Sequence, residues 1–244
     1  LALIAIAWLP LCARLVQVYL TTRFPEARRV IPVDDQLFFD FLSQQIPWML
    51  LMSAYAGAGL IANDMRTGGL LLYLSRPLTL ADYILGKAVI LIASLSMVTL
   101  VPGLIFFLGA RSLAPDVLGA AAHLLLVPRI VAFALVLVVP TAGLILMMSA
   151  VARSARFAGL AFFFVFVGSS VVQAIAGRAT GSPYAGLVSI QASMRRMGEA
   201  VFALESTRIS ASLPAEMAFG VLAVLFLTCL FVLRTRVRAV EIVE

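Results

Sequence analysis

Titratable chemistry is scarce in this chain. It has one histidine, His123, one lysine, Lys87, and two cysteines, Cys12 and Cys229. A lone histidine excludes the paired-histidine zinc helix, and any Ser/His/Asp triad would have to be built on His123, so that residue is read as structural. Both cysteines fall inside apolar runs, which excludes a disulfide framework. Charged residues make up 12% of the chain, about half the share of a soluble domain. No acid falls in the middle of an apolar run, whereas ion coupling usually needs acidic or broken-helix sites at mid-membrane. A nucleotide-binding loop is lacking as well. Gly86-Lys87 looks like the tail of one, but Ala81 stands where its first glycine belongs and Ala88 where Ser or Thr should follow. Met147, Met148, Met194, Met197 and Cys229 are soft donors, yet helix-spaced methionines are ordinarily packing residues, so no metal site is read from them.

What the chain has in excess is apolar surface: 63% of its 244 residues, against roughly 45–50% in a soluble protein. That composition makes it an integral membrane protein. The net charge of +6 belongs to loops and lipid headgroups rather than to nucleic acid. Leu9-Pro-Leu-Cys12 is outwardly like a lipoprotein cleavage box, but Leu11 is too large for the position before the cysteine. The chain opens in mid-run at Leu1, and a short basic segment is expected ahead of it rather than a signal peptide.

About 20 apolar residues of helix cross a bilayer core, and the runs predict an all-α protein, a single transmembrane domain over 1–244, with six spans near 1–20, 41–62, 84–108, 130–151, 157–177 and 215–233. Pro10 and Arg14 interrupt the first. Residues 21–40 read as a polar loop, and Trp48 anchors the second span at the interface. Residues 117–151 exceed one straight crossing, so Pro128-Arg129 is expected to divide an interfacial piece from the fourth span. Ser53, Ala54, Gly57, Ala58 and Ala62 permit close packing of the second span against a sister helix or along a substrate path. Between the fifth and sixth spans, Ile190, Met194, Met197, Val201 and Leu204 recur at helical spacing within 187–205. That amphipathic helix either lies on the outer membrane face or covers the bundle. Six spans put both ends on one side, and the tight Arg153–Arg156 turn and Arg234–Arg238 tail argue that this side is cytoplasmic.

The segment 63–83 stands apart. Two charges, Asp64 and Arg66, and a Gly-Gly pair precede Leu70, Leu71, Leu72, Tyr73 and Leu74. Pro77 lacks an amide hydrogen and pushes Arg76 out of helical angles, so any helix through the leucines stops there. Thr79 to Asp82 forms a capping box that starts the third span. A two-turn helix isolated at both ends is unstable alone, because nucleation costs more than its few hydrogen bonds return. Leu70, Tyr73 and Leu74 share a face that needs a cover, from either the membrane surface or a partner protein. Arg14 is the charge set deepest in a span. It either snorkels to the outer headgroups, pairs with Asp40 or Glu216, or lines a path.

Gly57-Ala-Gly-Leu-Ile-Ala-Asn-Asp64, Leu72-Tyr-Leu-Ser-Arg-Pro-Leu78 and Asp82-Tyr-Ile-Leu-Gly-Lys87 together resemble the permease subunits of ABC-2-type transporters. The Arg236–Glu241 tail and the outer amphipathic helix are also similar, so the resemblance runs over essentially the whole chain. The cytoplasmic helix that such permeases carry before their first span is not in this chain, and its role is not carried over. The resemblance implies a non-catalytic, six-span permease of the bacterial cytoplasmic membrane, serving an exporter. It also implies a dimer with a second copy or paralogue and a separate ATPase subunit that binds ATP and Mg. Residues 64–78 would be the coupling helix, with Asp64, Arg66, Leu70, Tyr73, Leu74, Arg76 and Pro77 as its ATPase-facing set. Spans one and five would meet across the dimer, and spans one, two and five would line the path. From the residues alone, a self-contained polytopic protein, an ion-coupled transporter or membrane enzyme, stays open beside it.

Overall fold

A computed structural model describes residues 2–24, 34–67, 79–113, 120–204 and 214–241. Among these there is no strand, and six helical segments are long and apolar enough to cross a membrane: Ala2–Arg23, Asp35–Arg66, Ala81–Leu113, Leu125–Val151, Ala155–Thr180 and Ala215–Val237.

The first three spans are each broken, and the breaks follow the sequence. The first comprises α1 (Ala2–Ala7) and α2 (Leu9–Arg23), with Pro10 in the opening turn of α2. Proline suits a first turn, where its missing N–H would be unbonded anyway. The second comprises α3 (Asp35–Gln44), α4 (Ile46–Gly57) and α5 (Ala62–Arg66). Pro47 sits in the opening turn of α4, and a turn over 58–61 separates α4 from α5. The third comprises α6 (Leu80–Ser96) and α7 (Leu100–Leu113). Pro102 cannot donate to the Val98 carbonyl, so the backbone tightens at 97–99. Trp8 of the first span donates its indole N–H to the Met97 carbonyl at that break, 3.1 Å away.

Two expectations are corrected here. The second span starts at Asp35, inside the stretch read as polar loop. Asp34 caps it by accepting from the Leu37 amide at 3.2 Å, and Phe38, Phe39 and Phe41 are buried despite the acids around them. Nor does Pro128 divide the fourth span. Helix α8 (Ala120–Val151) runs unbroken through Pro128 and Pro140. At 32 residues it is about 48 Å long, longer than the hydrocarbon core, so its first turns project beyond it. Arg129, near that projecting end, pairs with Asp35 at the start of α3.

Helix α8 is the axis of the bundle. Its span is 67% buried, against 17%, 17% and 22% for the first, fifth and sixth. Helix α9 (Ala155–Thr180) ends on Gly181 at φ 60, a left-handed stop that favours glycine. A 3-10 turn, Pro183–Val188, leads to the amphipathic helix α10 (Ile190–Val201), capped by Ser189. This helix covers the bundle. Its Gly198 lies so close to Phe133 of α8 that a Cβ there would meet the ring at 2.4 Å. Phe202 packs edge-on to Phe133 with centroids 6.0 Å apart, and Arg195 sits over Phe39, 5.8 Å from its centroid. Finally α11 (Ala215–Glu241) carries the sixth span on through the basic tail as one helix. Ala218, Leu222, Cys229, Leu233 and Val237 form its buried stripe.

The small residues of the second span serve its sister helices. A Cβ at Gly57 would meet Ile145 of α8 at 2.8 Å, and one built at Gly159 of α9 would touch the Cβ atoms of Ala58 and Ala54 at 3.6 and 3.9 Å. Where the second span breaks at 58–61, the buried Ser149 of α8 repairs it. Its hydroxyl donates to the Ala58 carbonyl at 2.8 Å and accepts from the Ile61 and Ala62 amides, each at 3.0 Å. Ser149→Ala would leave three buried backbone groups without that partner, at about 1–3 kcal/mol for each group left unsatisfied. Unfolding of the detergent-solubilised protein should register a loss of about 2 kcal/mol or more. Thr141→Ala should cost clearly less, because its hydroxyl donates only along its own helix, to Leu137 at 2.6 Å. Equal losses for the two variants would refute the role assigned to Ser149.

Candidate functional site

The described residues on either side of the segment 68–78 are brought together beside the Ser149 clasp. Once the turn at 58–61 is held against α8, the short helix α5 continues in a new direction with Asp64 in its first turn. Across from it, α6 starts with the expected capping box. The Thr79 amide donates to Asp82 Oδ2 at 3.1 Å, and the Asp82 amide donates to Thr79 Oγ1 at 3.2 Å. That start fixes the register of α6 and puts Tyr83 and Lys87, one turn apart, on the face opposite Asp64.

The three side chains form one cluster. Lys87 Nζ lies 2.8 Å from Asp64 Oδ2, the Tyr83 hydroxyl donates to the same oxygen at 2.8 Å, and Lys87 Nζ stands 5.6 Å from the Tyr83 ring centroid. The ion pair is largely shielded, with side-chain exposures of 17% for Lys87 and 21% for Asp64. A pair this sheltered interacts more strongly than a surface pair but must stay fully bonded, since removing one partner leaves a charge in poor solvent. The cluster therefore clamps the end of the second span to the start of the third, and so holds both roots of the segment between them.

Of the residues singled out in the sequence, Asp64 is in this clamp. Arg66 is exposed and turned elsewhere, toward the start of α9. Leu70, Tyr73, Leu74, Arg76 and Pro77 lie outside the described residues. Arg14 is half-buried, and among the described residues its guanidinium donates to Gln17 at 2.9 Å, one turn along its own helix, rather than pairing with Asp40 or Glu216. Asp40 instead accepts from Gln36 at 3.1 Å. Among the described residues no group of three or more His, Cys, Asp or Glu could hold a metal.

Tyr83, Lys87 and Ser149 were not picked out as site residues. Tyr83 and Lys87 carry a signal in the sequence, the i, i+4 spacing of an aromatic and the one lysine after the capping box, within the Asp82–Lys87 motif that resembles the family. Asp64→Asn and Lys87→Gln should each destabilise the protein, while the double variant is little worse than the worse single one. The coupling energy in that cycle should be about 1 kcal/mol. Strict additivity in detergent unfolding would show that the two groups do not act as a pair.

The geometry can now be set beside known proteins. The profile of ABC-2 family transporter proteins matches residues 41–233, most of the chain and all of the clamp. A comparison with curated proteins gave no match. With its six membrane-crossing helices and its match running from the second span through the sixth, the chain belongs to the ABC-2 family of transporter membrane proteins.

Proposed function

We propose that this permease is the membrane half of a bacterial exporter of the cytoplasmic membrane, driven by a separate ATPase subunit that binds ATP and Mg. The observation that carries the reading is the clamp of Asp64, Tyr83 and Lys87, which holds the two roots of a leucine-rich segment in a chain with no nucleotide-binding loop of its own. Residues 64–78 then form the coupling element: Leu70, Tyr73 and Leu74 enter a groove of the ATPase, Pro77 ends the helix, and Arg66 and Arg76 flank it. A rigid base matters for such an element, because a push from the ATPase moves the spans only if the roots do not give way. Spans one and five, each only 17% buried in the single chain, are the faces that would meet in a dimer.

Charge supports an orientation with both ends in the cytoplasm. At the end of the bundle that holds the clamp, Arg66, Arg153, Arg156, Arg234 and Arg236 have no carboxylate partner among the described residues. At the opposite end, Arg129 pairs with Asp35 and Arg196 with Glu199, while Arg23, Arg111 and Arg178 have no carboxylate partner among the described residues. The orientation therefore rests on the short basic turn at Arg153–Arg156 and the basic end of α11. Unpaired arginines at short turns are retained on the cytoplasmic side.

Two measurements test this reading. Burial of a Leu or Tyr at a protein contact is worth on the order of 2 kcal/mol, about thirtyfold in affinity. Tyr73→Ala with Leu74→Ala should therefore release the ATPase from a permease that remains folded, and co-purification at wild-type stoichiometry would end the coupling assignment. In a background without Cys12 and Cys229, a cysteine at Ser182 should react with an impermeant thiol reagent applied to intact cells, and one at Thr67 should not. Labelling at Thr67 alone would invert the topology.

A further inference from the structure

A second site lies beside the clamp, on the other face of α5. Asn63 and Arg66 are three residues apart and share that face, while Asp64 between them is turned away to Lys87 and Tyr83. Facing them is the start of α9, drawn close because a Cβ at Gly59 would lie only 3.6 Å from Ala155 and one at Gly159 only 3.6 Å from Ala58. Beyond that tight contact the two elements part and leave a cleft of about 660 Å³, lined by Asn63, Arg66, Ser154, Arg156, Phe157 and Leu160 among others. The volume suits a small-molecule site.

The lining is of two kinds. One wall brings Arg66 and Arg156 together with the polar groups of Asn63 and Ser154, no acid lines the cleft, and the first turn of α9 holds none. Neither arginine has a carboxylate partner among the described residues. The other wall is apolar and exposed in the single chain: Phe157 is 67% exposed and Leu160 56%, and Phe164, four residues further along the same helix, is 72% exposed. That wall meets lipid wherever the proposed dimer leaves this end of α9 uncovered. An anion-binding mouth thus opens onto an apolar lane running along a membrane-spanning helix. A small soluble anion would leave the lane unused, and an acidic protein loop would have to cross into the bilayer to use it.

We propose that this cleft binds an anionic phospholipid of the cytoplasmic leaflet, with its phosphate between Arg66 and Arg156 and its acyl chains along Phe157, Leu160 and Phe164. The leaflet assignment rests on the orientation given above. In this arrangement Arg66 serves a lipid at the root of the coupling segment, one helix face away from the clamp.

The retention measurement uses the purified chain alone, in phosphatidylcholine nanodiscs doped with phosphatidylglycerol in both leaflets, so that part of the test is independent of orientation and of any ATPase. Native mass spectrometry after detergent extraction counts the phosphatidylglycerol retained. Each arginine near a headgroup contributes on the order of fivefold, so Arg66→Gln with Arg156→Gln should lower retention about tenfold or more. Arg66→Lys with Arg156→Lys should keep most of it, which separates lost charge from lost folding. Arg234→Gln with Arg236→Gln removes the same charge from the same end of the bundle and should change retention less than about twofold. Equal losses in the two glutamine pairs would reduce the effect to a diffuse field and overturn the site. Displacement of the lipid by millimolar inorganic phosphate, or by a saturating ATPase subunit, would reassign the arginines to a small anion or to a protein contact and overturn it equally.

Discussion

One buried hydroxyl carries much of this architecture. The turn at 58–61 opens a helix inside the protein, where Ile61 and Ala62 are buried, and backbone polar groups left unsatisfied there are costly. Ser149 takes up a carbonyl and two amides at once. Because the break is repaired from α8 and not from within the second span, the bent end is referenced to the central helix. The direction of α5 follows from that, and so do both of its faces: Asp64 toward α6, and Asn63 with Arg66 toward α9. The two sites described here are consequences of one three-way hydrogen bond acting on a five-residue helix.

The family match gives this geometry its meaning, since it makes the chain the membrane component of an ABC transporter. The clamp uses the strongest pairing in the neighbourhood, a shielded lysine–carboxylate contact reinforced by a tyrosine hydroxyl. Breaking it would leave a charge near the membrane boundary without a partner, so the roots are expected to move together rather than separately. The opposite end is built differently. There the amphipathic helix closes the bundle with aromatic rings, Phe202 on Phe133 and Phe39 beside both, and its buried Glu199 is matched by Arg196.

How much of this was legible in the residues depends on the range of each interaction. The capping box at Thr79–Asp82 and the amphipathic period of Ile190 and Met194 are local, and both are present in the fold as read. The number and class of the spans follow from apolar runs alone. Ser149 was invisible because its partners are main-chain groups some 90 positions away, and a main-chain group leaves no trace in composition. The opening of the second span was misread because Asp34, Asp35 and Asp40 outweigh Phe38, Phe39 and Phe41 in any count of polarity. In the fold the phenylalanines turn inward, and Asp35 finds Arg129. Pro128 misled because a proline breaks an isolated helix more readily than one gripped along its length, and α8 is packed on most sides.

That same helix makes the bundle a beam with one notch. Ser149 grips the second span near the clamp, and Phe133 bears on α10 at Gly198, about 24 Å away along the axis. Between those bearings lies Pro140, which leaves the Val136 carbonyl without its helical amide partner. A tilt introduced at the clamp end has only two fates. It arrives under Phe133 and lifts or shifts α10, or it is spent as bending at Val136–Pro140. The stiffness of a single turn of helix thus sets whether the two faces of the membrane move in step.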